Sequence, residues 1–231
     1  MKIIDCEQNS LEWLTARAGL VTASEIDALV SPTFEIRKGV GVQTYLAQKV
    51  AEKWLSGPIP GHMDLTMEIG QILENEAIPA YEFDYNQKIQ RVGLITDDSD
   101  HYGCSPDGLI DKDGGIEIKC PEPKSHVKYL LENKLPNDYV TQVHFSLFVT
   151  GRKWWKFMSY RRGFPTFIIT VERDEEKMQV FQTALNAFLP KLDSELNRLI
   201  ALNGGERPAK NAFREAIMRE EQPQDEMYGR H

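Results

Sequence analysis

The chain has 231 residues, of which 41% are hydrophobic and 27% charged, and a net charge of −8. That length suits one α/β domain with a sizeable core, and the composition excludes disordered and fibrous classes. No apolar run approaches the ~20 residues that cross a membrane, and the first residues carry no signal-peptide pattern.

Cys6, Cys104 and Cys120 are widely spaced, which argues against a disulfide framework and against a zinc or four-cysteine iron–sulfur site. The expected compartment is reducing cytoplasm. The acidic total counts against a nucleic-acid partner, although local charge, not the sum, governs phosphate contact.

Ser10 is placed to cap a helix carrying Trp13, Leu14 and Arg17, which Gly19 stops. Thr22-Ala23-Ser24-Glu25 fits a capping box opening a short helix from Glu25 to about Val30. Ser24 there is either an ordinary first-turn residue or an anion ligand, with Arg17 supplying a forked charge. Residues 31–40 read as a loop containing Arg37-Lys38. The stretch from Val42 to about Leu55 is amphipathic, with Tyr45, Leu46, Val50 and Trp54 as a core stripe, and a loop follows over 58–64.

A longer helix runs from near Leu65 toward Asp84 with Pro79 inside it. Ile69, Ile72 and Leu73 suit its buried side. Glu74 beside them is either a surface glutamate or a carboxylate with a function. Lys88 to Thr96 reads as a strand. Beyond the central hairpin, Ser125 to Asn133 is a short helix, and Asn137-Asp138 caps another from Tyr139 to about Val149, on which Tyr139 and Gln142 share a face.

Lys153 to Tyr160 and Pro165 to Glu172 form an aromatic, β-branched antiparallel pair. Arg152, Lys153, Lys156, Arg161 and Arg162 are the densest basic stretch, a solvated face or a contact for a nucleic-acid backbone. Asp174 opens a long helix to about Asn203, whose stripe of Met178, Phe181, Leu185, Phe188, Leu192, Leu196 and Leu199 should cover the sheet. The expected organisation is one domain over residues 1–205 and a C-terminal tail or subunit contact over 206–231.

The central stretch is Cys104-Ser105-Pro106-Asp107-Gly108, then Gly115-Ile116-Glu117-Ile118-Lys119-Cys120-Pro121. Apolar runs on either side of residues 111–115 predict a hairpin, with the Asp-Gly pair favouring a tight reversal. Alternation puts Glu117 and Lys119 on one strand face, and the reversal brings Asp107 near Glu117. Paired carboxylates repel unless a cation joins them, and the hard ions Mg²⁺ and Mn²⁺ favour such oxygens. A lysine beside them can orient or deprotonate a water, particularly if burial lowers its pKa. Asp, then Glu-x-Lys, is thus a parts list for metal-dependent phosphodiester hydrolysis. Taken alone, Glu117 and Lys119 would more simply be a surface ion pair.

"CSPDG … IEIKCP" resembles the PD-(D/E)-x-K nuclease motif, and more closely the lambda-exonuclease or YqaJ-type viral recombinase family. The resemblance implies an α/β fold, a central mixed sheet with helices on both sides. The family's W-x-x-x-R … T-A-S-E pattern matches Trp13 to Glu25, which implies a pocket for a 5′-phosphate made by Arg17, Ser24 and Ser105. Its G-x-x-x-E-N matches Gly70 to Asn75 and brings Glu74 to a second metal position; Met67 falls at an apolar wedge between terminal base pairs. Ile69 and Gln71 depart from the family's aromatic and basic residues there.

Its Y-x-x-Q matches Tyr139 to Gln142, facing the site and helping to position water or phosphate, and Arg37 corresponds to a loop arginine entering the minor groove. Asp107, Glu117 and the Ile118 carbonyl would bind metal, Lys119 would activate the water, and two Mg²⁺ about 4 Å apart would clamp the reacting oxygens. The implied activity is 5′→3′ digestion of linear double-stranded DNA from a 5′-phosphorylated end to mononucleotides, leaving a 3′ overhang for strand annealing. A ring-shaped homotrimer and a phage-type single-strand annealing protein are the implied partners. The rival readings are an endonuclease of the same superfold and an inactive DNA-binding or assembly module.

Overall fold

The computed structural model describes residues 1–57 and 65–208, with side chains described from residue 73 onward in the second span. The expected loop over 58–64, the tail beyond residue 208 and the side chain of Met67 lie outside the described residues.

Two mixed sheets carry the fold. The first has the order β1 (Lys2–Ile4), β4 (Leu94–Thr96), β5 (Tyr102–Cys104), β2 (Val21–Thr22), with β2 parallel to β5. The second has the order β3 (Ile89–Gln90), β6 (Gly108–Ile110), β7 (Gly114–Lys119), β8 (Trp154–Ser159), β9 (Phe167–Glu172), with β7 and β8 parallel. The helices are α1 (Leu11–Arg17), α2 (Val40–Leu55), α3 (Leu65–Tyr85), α4 (Pro123–Glu132), α5 (Asn137–Thr150) and α6 (Glu175–Leu202).

The sequence predicts one sheet, and the chain makes two because it breaks twice. The expected strand from Lys88 to Thr96 divides into β3 and β4 at Gly93, where a Cβ would lie 2.2 Å from the Cys6 carbonyl oxygen. Between β5 and β6, Pro106 cannot donate to a ladder, so Ser105-Pro106-Asp107 carries the chain from one sheet to the next. The short strands β1 and β2 have no signal of their own in the sequence.

The hairpin forms, with a different turn from the one its Asp-Gly pair suggests. Gly108 pairs with Ile116 and Ile110 with Gly114, so the connection is residues 111–113 and the left-handed residue is Asp111, at φ 49°. Gly114 and Gly115 lie inside β7 because β8 passes close by. A Cβ on Gly115 would sit 2.3 Å from the Trp155 ring, and one on Gly114 would sit 2.1 Å from the Trp154 ring.

Side chains of β7 and β8 sort to two faces, as strand alternation requires. Ile116, Ile118 and Met158 pack with Ala77, Ile78 and Tyr81 of α3. Trp155 and Phe157 join the larger core with Val143, Phe145 and Leu147 of α5 and Phe181 and Leu185 of α6. The stripe of α6 is buried from Met178 to Leu196, but its main neighbours are α2 and α5 instead of the sheet.

Ser10 caps α1 by accepting from the Trp13 N–H, as predicted. The predicted capping box does not form: residues Ala23–Ala28 make a 3-10 helix, and the Thr22 hydroxyl donates to Glu25 instead of accepting from the backbone. No helix among the described residues is long and apolar enough to cross a membrane.

Gly115→Ala is expected to destabilise the protein by about 1–3 kcal/mol, the usual penalty for forcing extra volume into a packed core. Chemical denaturation followed by tryptophan fluorescence measures it, and Trp155, the residue displaced, reports the change directly.

Candidate active site

Continuing the β6–β7 register by one residue sets Asp107 opposite Glu117. Glu117 shares its face with its β8 partner Phe157, so it turns toward α5. That is why Gln142 meets it: Gln142 Nε2 donates to Glu117 Oε1 at 2.6 Å. Lys119 follows on the same face, its Nζ 2.6 Å from the same oxygen and 5.4 Å from the centre of the Tyr139 ring. The carboxylate of Asp107 accepts the Ile118 N–H through Oδ2. Asp107 Oδ1 and Glu117 Oε2 accept no hydrogen bond from the described residues, and both residues line one cavity of about 590 Å³.

Burial and charge crowding act together in this cavity. Burial pushes the Asp107 carboxyl well above the usual carboxylate range, and the Glu117 and Glu74 carboxylates add to the push. Glu74 is also raised, chiefly by burial. For Lys119, burial pulls the pKa down, but Glu117 and Asp107 outweigh it and the net shift is upward. The expectation of a burial-lowered lysine therefore fails: the ammonium is held charged by the carboxylates around it.

No three Asp, Glu, His or Cys side chains among the described residues converge closely enough to hold a cation alone. The donor set is instead two hard carboxylates with one open oxygen each, next to a backbone carbonyl at Ile118. Two buried carboxylate side chains set beside each other fit a divalent cation, which would offset both the repulsion between them and the cost of burying their charge.

A second cluster lines the same cavity. The guanidinium of Arg17 lies 4.3 Å over the Trp13 ring, and its Nη2 donates to Thr22 Oγ1 at 3.2 Å and Ser24 Oγ at 3.1 Å. Trp13 Nε1 donates to Ser105 Oγ at 2.8 Å. Ser105 accepts from Trp13, which leaves its own proton to donate elsewhere, whereas Ser24 lies 3.3 Å from Thr22 Oγ1 and donates there, because the Thr22 proton goes to Glu25. Arg17, Ser24, Ser105, Glu74, Asp107, Glu117, Ile118, Lys119, Tyr139 and Gln142 thus border one space, although they come from α1, the 3-10 turn, the inter-sheet crossing, β7, α3 and α5.

A family model described as the YqaJ-like viral recombinase domain matches residues 12–153. The chain belongs to this family. Its match spans both clusters, from Trp13 through Gln142. Among solved structures, an alkaline exonuclease (LHK-Exo) from Laribacter hongkongensis is 30% identical, with a TM-score of 0.75, covering 84% of this chain and 98% of that one. The same enzyme in complex with dAMP aligns equally well. A phage-related exonuclease from Haemophilus somnus shares the fold at 11% identity and a TM-score of 0.63, covering 78% of this chain and 96% of that one. No curated protein matches.

Within this YqaJ-like domain, the other charged residues noted in the sequence lie away from the shared cavity. Arg37 lines a different cavity, with Leu29, Lys38 and Phe188, and is not brought to the cluster. The basic stretch divides between internal hydrogen bonds and exposed ion pairs. Arg152 Nη1 donates to the Ile110, Asp111 and Gly114 carbonyls and so locks the hairpin; Lys153 pairs with Asp113 and Arg162 with Glu76. Lys156 donates to the Tyr81 hydroxyl.

Two features were not foreseen. Gln8 Nε2 donates to the Val92 and Pro106 carbonyls, each at 2.9 Å, bracing the backbone next to Asp107; a lone glutamine ahead of α1 carries no signal of this. And α2, expected to be plain core, buries Lys49 and Glu52.

The raised Asp107 carboxyl binds its proton more tightly folded than unfolded. Metal-free stability should therefore fall as pH climbs from the ordinary carboxylate range, ~3.9, through the folded value. Asp107→Asn, which can still accept the Ile118 N–H, should raise the metal-free melting point by a few degrees, at ~2–4 °C per kcal/mol relieved. Added Mg²⁺ should raise the parent's melting point but not the variant's. Calorimetric scans of both proteins with and without Mg²⁺ check the pair of outcomes.

Proposed function

We propose that this nuclease of the lambda-exonuclease family is a metal-dependent 5′→3′ exonuclease. It acts on linear double-stranded DNA, starts at a 5′-phosphorylated end, and releases mononucleotides. The observation that carries the reading is the single cavity shared by the Asp107/Glu117/Lys119 cluster and the Arg17/Ser24/Ser105 cluster. A built anion pocket beside the hydrolytic centre suits a terminal phosphate held one step from the scissile bond. A relative whose name calls it an exonuclease supports the same choice.

Asp107, Glu117 and the Ile118 carbonyl would hold Mg²⁺ or Mn²⁺, with Glu74 assisting a second ion. Bound there, such ions polarise the scissile phosphodiester and lower the pKa of a bound water. The protein's own groups do the rest. Gln142 fixes the Glu117 carboxylate so that its free oxygen faces the cavity. Lys119, tethered by Glu117 and set above Tyr139, presents a charged ammonium that orients the attacking water and neutralises charge developing on phosphate. Arg17 Nε and Nη1, which make no hydrogen bond among the described residues, and the Ser24 and Ser105 hydroxyls would receive the terminal phosphate. Anchoring the end sets which phosphodiester meets Lys119, and so fixes a one-nucleotide step.

In this reading the enzyme generates the 3′ overhang used by strand annealing, with a ring-shaped homotrimer and a phage-type annealing protein as partners; family membership supports these. Met67 as wedge and Arg37 as minor-groove contact belong to the same proposal.

The test uses end-labelled linear duplex in Mg²⁺, with and without a 5′-phosphate, beside an unnicked circle. Mononucleotides from the phosphorylated 5′ strand and an intact circle are expected; internal fragments or a linearised circle would favour the endonuclease. Lys119→Ala should lower kcat by about 10²–10⁴-fold while leaving duplex binding in place, measured by single-turnover kinetics and filter binding. A variant cutting as fast as the parent would remove Lys119 from the mechanism.

A further inference from the structure

Behind the Arg17/Ser24 cluster lies a compact network of charged side chains. Four charged groups meet behind Ser24: Arg17, Glu25, Lys49 and Glu52. Lys49 is 2% exposed and its Nζ lies 2.8 Å from both Glu25 Oε2 and Glu52 Oε2. Gln48 Nε2 reaches the other oxygen of each carboxylate, at 3.2 Å from Glu25 and 2.9 Å from Glu52. Glu52 also accepts the Gly19 N–H at 2.8 Å, which ties the network to the end of α1. The Thr22 hydroxyl gives its proton to Glu25 at 2.7 Å, so its lone pair is what Arg17 finds.

Arg17 itself makes no ion pair among the described residues, although the Glu25 and Glu52 carboxylates both act on it. A guanidinium beside carboxylates ordinarily pairs with one of them, bidentately if it can. Here both carboxylates are already occupied by Lys49, and Thr22 stands between Arg17 and Glu25. A buried ion triad contributes little stability over apolar residues of the same volume. Lys49 therefore calls for a role beyond stability.

We propose that Lys49 is a positioning residue for end recognition: by taking both Glu25 and Glu52, it keeps the Arg17 guanidinium free for a terminal 5′-phosphate. The inference rests on reading the Arg17/Ser24/Ser105 cluster as the 5′-phosphate pocket. It adds that the preference for a phosphorylated end is set one layer behind the residues that touch the phosphate. With Lys49 gone, two uncompensated carboxylates face one guanidinium. Arg17 turns to Glu25, and the pocket carries net negative charge toward an incoming dianion.

The experiment measures kcat/KM on linear duplexes with 5′-phosphoryl and 5′-hydroxyl ends, and reads their ratio. For Lys49→Met the ratio should fall about ten- to a hundredfold, the loss of a charge-assisted contact, with the rate on hydroxyl ends within about twofold of the parent. Two double variants each remove one buried charge of each sign, and they carry the test if the single variant does not fold. K49M/E25Q, which deletes the carboxylate that would capture Arg17, should recover most of the ratio. K49M/E52Q, which leaves Glu25 in place, should not. A parental ratio in Lys49→Met, or equal ratios in the two double variants, would overturn the role of Lys49 and leave the pocket standing. A parent enzyme with a ratio of one would overturn the pocket and this inference together.

Discussion

The burial of carboxylates beside one another is the constraint on which this structure turns. Asp107 and Glu117 face each other because a three-residue connection fixes the β6–β7 register, and Glu74 comes in from α3 to the same cavity. Nothing in the burial of hydrophobic groups asks for that meeting. The protein partly relieves it with Lys119, with the Gln142 amide and with the Ile118 N–H, yet the Asp107 carboxyl still stands far above its ordinary range. Stability is given up locally at this site, and the two apolar cores on either side of β7 and β8 hold it in that state.

The architecture explains how residues far apart in sequence share the cavity. The crossing at Ser105-Pro106-Asp107 lies between two sheets, so one short segment offers Ser105 to the Arg17/Ser24 cluster and Asp107 to the Glu117/Lys119 cluster. Trp13 joins the clusters physically, lying under Arg17 and donating to Ser105. Gln8 braces the same crossing through the Pro106 carbonyl. On the other side, α5 packs against the face of β7 that bears Glu117, which sets Gln142 and Tyr139 at the cavity wall.

Much of this was legible in the sequence. The Asp107 … Glu117-x-Lys119 spacing around a turn predicted the convergence of its members, and strand alternation predicted which of them share a face. Ser10 as a cap and the stripe of α6 were readable because capping and helical periodicity are local signals. What escaped depends on contacts distant in sequence. The break at Gly93 is imposed by Cys6, and the glycines of the hairpin answer to tryptophans about 40 residues later rather than to turn geometry. Lys49 and Glu52 fall one helical step from an apolar stripe, and only Glu25, from another element, explains their burial. Within the basic run, sequence does not show that Arg152 binds the hairpin carbonyls while Arg162 makes an exposed pair with Glu76.

The central claim is that the open oxygens of Asp107 and Glu117 belong to a divalent cation. Crystals of the protein grown with Mn²⁺ and measured at its absorption edge test this most directly. An anomalous peak within about 2.0–2.3 Å of Asp107 Oδ1, Glu117 Oε2 and the Ile118 carbonyl oxygen is the predicted result. A cavity with no anomalous density at saturating Mn²⁺, with Lys119 still closed onto Glu117, would contradict it.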